Sequence, residues 1–469
     1  MLTNIMVDAA MAEFKQNLSN FCEPLDCSAL TPALAERVSA GLLQAFSAAG
    51  VASFRAFLQA YEAKDDVVRD AQGGVFRFKK KRNRDFMTPF GKLSIERRCY
   101  QNKSDTKSYV PLDAAWGMEG HYMTPEVREA VLFCCALTTP AETVQIVHKC
   151  ALFKPDATTI KREVERTGSL IQRHREALDE AVRAKEQSPE GTRALVVSAD
   201  GATVLMNEKG LRFGRPAERP RGEKPNETPT AYRIAMVGCV SHYGPPNASG
   251  HGPERLQSKY VAHMPEPYCP TFKTLLEAEV DAAEARMPAE AARILLLDGA
   301  RDLWHYFEND PRYGGYHRCI DFWHAAEHLS VAAEALFGSG AAAKRWYEKY
   351  YRILLESDDG ATRIGRSIDH YDSKNKRSKT SQKHLREQRT YFKRNAKRMP
   401  YKTFRDNGWP IGSGPIEAAC KTLIKQRLCR SGMRWTRKGG QHVLALRTYV
   451  KSNRWENAWQ HIKALNNAA

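Results

Sequence analysis

Three carboxylates stand apart from the other acids of this chain by their settings. Asp200 ends the apolar run of "ALVVSADGATVLM", Asp298 ends that of "ARILLLDGARDLWHYFE", and each is followed by a glycine, Gly201 or Gly299. Glu417 lies just behind the Gly-Ser-Gly of "WPIGSGPIEAACKTLIKQRLCRSGMRW", with no further acid before Glu456. Chemistry that needs three converging carboxylates in a basic setting is two-metal phosphoryl transfer. Mg²⁺ prefers hard oxygen ligands and keeps several waters, which leaves room for phosphate. One ion activates the attacking oxygen and the other stabilises the leaving one. A lone Asp-Gly is an ordinary turn signal, and Asp302, Asp321 and Glu327 are rivals; strand context favours the chosen set.

These side chains need a scaffold. Apolar strands at 194–206, 232–244 and 292–297, with a short strand leading into "DFWHAAEHLSVAAEALFG", alternate with an amphipathic helix at 269–287. That alternation predicts an α/β core with Asp200 and Asp298 at strand ends, where such sheets present side chains to ligands. "GLRFGRP" (210–216) is a candidate extra strand, followed by a Pro-rich polar excursion over 214–230. From about 340 to 408 the chain reads as helical and basic, with eleven Lys/Arg and one acid, Glu387, between Lys374 and Arg398.

Upstream, residues 1–70 read as short amphipathic helices, one ending on Gly50, and "FRFKKKRNRD" (76–85) as a basic knot. Residues 91–113 alternate well enough for one or two strands. Short helices follow, with Thr124, Thr139 and Asp156 as N-caps, in an order compatible with a helix-turn-helix module. "EQSPEGTR" (186–193) is a linker.

The chain has 469 residues, 42% of them apolar, which is enough for several cores. Its 72 basic and 54 acidic residues leave +18, a balance that favours a polyanionic partner. Eleven scattered cysteines without a Cys-x-x-Cys spacing argue against a disulfide framework or a structural zinc site, and for a reducing cytosol. No signal segment and no apolar run of membrane-spanning length is expected.

The motifs "VVSADGA", "LLLDGA", "DFWHAAEHL" and "IGSGPIEAACKTLIKQRLCRSGMRW" occur in the same order as in DDE transposases of bacterial insertion sequences. The chain resembles the ISKra group of these enzymes, with looser kinship to the Mutator-like superfamily, over roughly residues 76–460. The resemblance implies a ribonuclease H-like catalytic core interrupted by an α-helical insertion and preceded by a mainly helical DNA-binding region. Expected boundaries are 1–75 for N-terminal helices, 76–190 for a β-hairpin with a helix-turn-helix-like region, 191–325 for the first part of the core, 326–408 for the basic helical insertion, and 409–469 for the last part. It implies Asp200, Asp298 and Glu417 as metal-holding catalytic residues, with Asp321 and His324 as the family's Asp/Cys-x-x-His element. The expected cofactor is Mg²⁺, with Mn²⁺ as a substitute. Expected partners are double-stranded DNA, as element ends and target, and a second copy of the chain or more, with no membrane. The location expected is the bacterial cytoplasm, at the nucleoid. Relatives carry a cysteine pair near 98–113; only Cys99 lies there in this chain, which speaks against zinc in the N-terminal part.

Around the triad, Lys421 and Lys425 follow Glu417 at i+4 and i+8, either as a surface ion-pair row or as cations along a phosphate backbone. Arg427, Arg430 and Arg434 are expected DNA contacts. His324 and His328 have a spacing that can bind zinc, but no third ligand stands out; a role for His324 beside the scissile phosphate, or in ordering Asp321, is the favoured alternative. Trp304, Trp323 and Trp409 are either core or platforms for an unpaired base.

Overall fold

The expected alternation of apolar strands and helices is realised in the second of two compact units, Met1–Leu178 with Glu456–Ala469, and Asp179–Trp455. The computed structural model describes residues 2–22, 29–102, 107–213, 230–246, 252–373 and 378–468. Most of the excursion at 214–230 therefore lies outside the described residues, as do 374–377 of the basic stretch.

In the first unit, helices α1 (Leu2–Cys22) and α2 (Pro32–Ala60) precede a four-stranded antiparallel sheet of order β1-β2-β3-β4. Its strands are β1 (Val67–Arg69), β2 (Val75–Thr88), β3 (Gly91–Gln101) and β4 (Ser108–Tyr109). Helices α3 (Pro111–Ala115), α4 (Pro125–Leu137), α5 (Pro140–Cys150), α6 (Ala157–Arg173) and α7 (Arg175–Arg183) follow. Phe86, Leu93 and Ile95 of the sheet bury against Leu58, Leu112 and Met118.

Four expectations are corrected here. α2 does not end on Gly50 but runs ten residues further. Gly50 serves close approach instead, since a Cβ there would stand 2.6 Å from the Phe90 ring. α2 is also the one helix among the described residues long and apolar enough to cross a membrane, by length and composition alone; its Leu58, Val51, Phe54 and Phe57 pack on the sheet core. The basic knot is strand β2, whose Lys and Arg mask the alternation seen in Phe76, Phe78 and Phe86. Thr139 caps α5 in a capping box with Glu142, and Asp156 caps α6 through the Thr159 amide, whereas Thr124 makes no side-chain cap bond.

The second unit is built on a five-stranded sheet of order β7-β6-β5-β8-β9. β5 (Ala194–Leu205), β6 (Tyr232–Pro246) and β7 (Pro253–His263) are antiparallel neighbours; helix α8 (Pro270–Glu284) then leads to β8 (Ala292–Leu297), and α9 (Arg301–Asn309) to β9 (His317–Ile320). β8 and β9 add in parallel. Helices α10 (Phe322–Phe337), α11 (Ala341–Glu356), α12 (Gly360–Ser373), α13 (Lys379–Asn395) and α14 (Tyr401–Asp406) form a group that shares the sheet's apolar core through Leu329, Trp346, Ile364, Phe392 and Phe404. α15 (Gly414–Ala419) passes without a break into a π-helical stretch, Cys420–Lys425, and then α16 (Gln426–Leu428). α17 (Arg437–Lys451) is the last helix of this unit, and α18 (Trp455–Ala468) belongs almost wholly to the first. The candidate strand at 210–216 amounts, in its described part, to a single bridge between Arg212 and Thr230.

Candidate active site

Strand register brings the aspartates together. β5 and β8 pair in parallel with Val197 opposite Leu295; continued three residues, that register sets Asp200 opposite Asp298. β8 and β9 pair with Leu297 opposite Ile320, so the next step sets Asp298 opposite Asp321. Side chains at matched positions of parallel strands point to the same face, so three aspartates form one row. Asp298 does end its strand, and its Oδ1 accepts the Ala300 amide at 2.9 Å to make the turn. Asp200 does not end a strand, contrary to expectation: β5 continues through it to Leu205, because β6 pairs with it along its whole length. Gly201 is therefore no turn residue. A Cβ there would meet Ile234 at 2.4 Å.

The row is electrostatically strained. Burial raises the Asp298 carboxyl above the ordinary range; the Ala300 amide and His324 lower it, while the charges of Asp200 and Asp321 raise it further. Asp321 is fully buried, and its two oxygens accept backbone amides, Oδ1 from His324 at 2.8 Å and Oδ2 from Ser413. It thus caps α10 and clamps the Gly412–Ser413 turn from which Glu417's helix springs. Phe322 adds a second tie by donating to the Ile411 carbonyl at 2.9 Å.

Glu417 is exposed, and its Oε1 lies 3.8 Å from His324 Nε2. The other ring nitrogen of His324 is 3.7 Å from Glu327. Asp321, His324 and Glu417 each offer a ligand atom within 4.8 Å of the others, a tighter group than the acidic triad, with which it shares only Glu417. Because both Asp321 oxygens already hold amides, its geometry fits support of the turn better than ligation. Cys420, one turn beyond Glu417, donates its thiol to Asp200 Oδ2 at 3.4 Å. Burial, then the neighbouring Asp200 charge, push that thiol's pKa well up, so it stays a protonated donor.

A broad cleft of about 1740 Å³ takes in Asp200, His324, Glu417, Cys420, Lys421 and Lys425. Asp298 is half-buried and is not among its lining residues. Lys421 and Lys425 line the same cleft as Glu417, but among the described residues neither pairs with it, and Glu417 faces His324 instead. Arg447 of α17 supports this stretch: its Nε donates to the Thr422 carbonyl at 2.8 Å, and a terminal nitrogen donates to the same oxygen. Burial and neighbouring Arg427 pull the Arg447 guanidinium down to about 10, which leaves it charged at neutral pH.

Arg430 and Arg434 are exposed, as a DNA contact requires. Arg427 corrects its expectation: it is only 2% exposed, with its guanidinium 5.4 Å from the centre of the Trp435 ring. Trp304 is likewise core, with its indole donating to the Asp298 carbonyl at 2.7 Å, so it supports the site and stacks no base. Trp323, 60% exposed at the cleft, is free to stack, whereas Trp409 is half-buried against the rings of His317 and Phe404. The His324/His328 zinc reading fails on geometry: His328 is stacked on Tyr391 with ring centres 3.6 Å apart, and its Nδ1 is 2.5 Å from Gln388 Oε1. Sequence reading missed Cys420, Ser413, Tyr391 and Arg447. Cys420 alone left a trace, three residues past Glu417 on one helical face.

No protein-family model and no curated protein matches the sequence. Among solved structures, the chain overlaps one described as the Drosophila P element transposase strand transfer complex, at 9% identity and a TM-score of 0.25, over 72% of this chain and 81% of that one. An overlap this loose carries no argument about fold or activity.

Proposed function

We propose that this chain is a transposase of the DDE type, which cleaves DNA at element ends and joins the freed 3′ hydroxyl to target DNA. The observation that carries the reading is the convergence of acids from distant parts of the chain. The β5–β8 register, paired as far as Val197 and Leu295, brings Asp200 and Asp298 to the same level when continued three residues, and the helix bearing Glu417 is tied to Asp200 through Cys420. The strand order β7-β6-β5-β8-β9, with its two parallel additions, supports a ribonuclease H-like core. The helical group α10–α14, between β9 and the Glu417 helix, supports the expected insertion.

Asp200, Asp298 and Glu417 would hold Mg²⁺ or Mn²⁺. The fit rests on their hard oxygen donors and on a carboxyl, Asp298, whose pKa is raised first by burial and then by the charges of Asp200 and Asp321. When bound, such ions supply Lewis acidity that activates water or a 3′ hydroxyl and stabilises the leaving oxygen. The chain's own residues supply position. Asp321 fixes the turn that delivers Glu417, His324 offers an imidazole beside it, and Lys421 and Lys425 set cations along the cleft for the phosphate backbone. Arg430 and Arg434 extend that basic surface, and Trp323 is the residue for stacking an unpaired base. Two DNA ends must be held together, so a dimer or larger assembly on DNA, at the bacterial nucleoid, is the working unit.

The test is Mg²⁺-dependent cleavage and joining of DNA carrying the element's ends, comparing wild type with Asp200→Asn, Asp298→Asn and Glu417→Gln. Loss of both steps in all three, with folding and DNA binding retained, is the expected result. Cleavage without joining in the wild type would reduce the protein to a nuclease. Full activity of Glu417→Gln would remove it from the triad.

A further inference from the structure

The first unit carries a basic surface that the cleft does not use. Between Val75 and Gln101 there are nine Lys/Arg and two acids, Asp85 and Glu96. Internal partners absorb part of this charge: Arg84 and Arg97 share Asp113, Arg98 pairs with Asp66, Lys92 with Asp85, and Lys81 with Glu96. Lys79 meets only the neutral Gln101 amide. Arg77, Lys80 and Arg82 have no acidic partner among the described residues.

The five successive residues Lys79–Asn83 are all exposed. Successive side chains of a strand point to opposite faces, so β2 meets solvent on both faces here. β1 pairs only as far as Arg77 and Met123 bridges to Met87, which leaves one edge of β2 open between Lys79 and Phe86. One or two lysines suffice to guard an open edge; here four cations run consecutively. Two of them, Lys81 and Arg82, also sit directly opposite Arg98 and Arg97. Asp66 and Asp113 already balance Arg98 and Arg97, and Glu96 balances Lys81, so Lys80 and Arg82 carry the uncompensated charge. A strand advances about 3.4 Å per residue, and each strand of B-DNA presents a phosphate about every 3.4 Å of axis. Because alternate side chains lie on opposite faces, cations on one face recur about every 6.8 Å, roughly one for every second phosphate of a strand.

We propose that Lys79, Lys80, Lys81 and Arg82 form a contact surface for the phosphate backbone of double-stranded DNA. This rests on the DNA-processing reading above and adds a second DNA-binding element in a different unit from the cleft. Contacts of this kind position the duplex without reading its sequence.

The experiment uses the full chain and a fluorescent duplex, with affinity measured across a series of salt concentrations. Each lost phosphate contact lowers the slope of log K against log salt by about 0.9. Lys80→Gln/Arg82→Gln, which removes two unpaired exposed cations, should lower the slope by about 2, and the quadruple glutamine variant by about 3–4. The control Lys15→Gln, an exposed cation of α1 outside this strand and outside the cleft, should keep the wild-type slope. Steep wild-type binding with unchanged slopes in both variants would overturn the surface alone. Unchanged slopes accompanied by aggregation would assign the lysines to edge protection. Loss of binding to phosphatidylserine vesicles, with DNA slopes unchanged, would assign them to a membrane surface and overturn the proposal. Wild type that binds no duplex would overturn the DNA-processing reading itself.

Discussion

Asp200 and Asp298 are held by a sheet, whereas Glu417 is held by tethers. The aspartates owe their positions to the ladder that joins β5 to β8, where each backbone bond reinforces the next and one register places both acids. Glu417 stands on a short helix that continues as a π-helical stretch. Its place depends on separate side-chain ties: Asp321 to Ser413, Cys420 to Asp200, and Arg447 to Thr422. A site built this way has a rigid half and an adjustable half. Losing a ligand from either half should stop the chemistry, but only the adjustable half should be sensitive to residues that touch no substrate.

The largest effects test the equivalence of the two halves. Asp200→Asn, Asp298→Asn and Glu417→Gln should each lower strand cleavage on the order of 10³-fold or more in a single-turnover assay. Unequal losses, with Glu417→Gln near wild type, would break the comparison. Next comes Asp321→Asn, which keeps the shape but gives up a charged acceptor of two amides. It should cost about 10–100-fold in activity, as supporting residues of metal sites do, and raise the Mg²⁺ concentration needed for half-maximal rate.

Arg447→Met tests the tether farthest from the acids. It leaves the Thr422 carbonyl without its buried donor, at about 1–3 kcal/mol in denaturant unfolding, and should lower the single-turnover rate about tenfold while duplex affinity at fixed salt stays unchanged. A matching loss of DNA affinity would make Arg447 part of the binding surface instead. Cys420→Ala removes one weak thiol contact and should change the rate by no more than about threefold.

Asp298→Asn also separates function from stability. Its carboxyl titrates higher in the folded chain than in the unfolded one, first through burial. The folded state then holds the proton more tightly, so this group takes stability from the metal-free protein as pH rises from the unfolded to the folded value. Removing the charge should raise the melting temperature at pH 7, and a lowered value would contradict the burial and repulsion argued here.

The same contrast governs what the sequence disclosed. Strands β5, β6, β8 and β9 were legible because buried strands are runs of apolar residues, and a ladder carries their acids to a common level. β2 and β7 were not, because "FRFKKKRNRD" and "ERLQSKY" hide alternation under exposed charge. The exposure of Arg430 and the burial of Arg427, three residues apart, depend on packing that no local pattern records. The π-helical stretch has no sequence signature, and the partners of Asp321 and Arg447 lie 92 and 25 residues away.

The most direct test of the central claim is to count Mn²⁺ bound to the protein–DNA complex by electron paramagnetic resonance, in wild type and in Asp200→Asn, Asp298→Asn and Glu417→Gln. Binding in the wild type that is weakened at least tenfold in every variant is the predicted result. Wild-type binding retained in Glu417→Gln but lost in Asp321→Asn or His324→Ala would contradict the triad and move the metal to the Asp321–His324 side of the cleft.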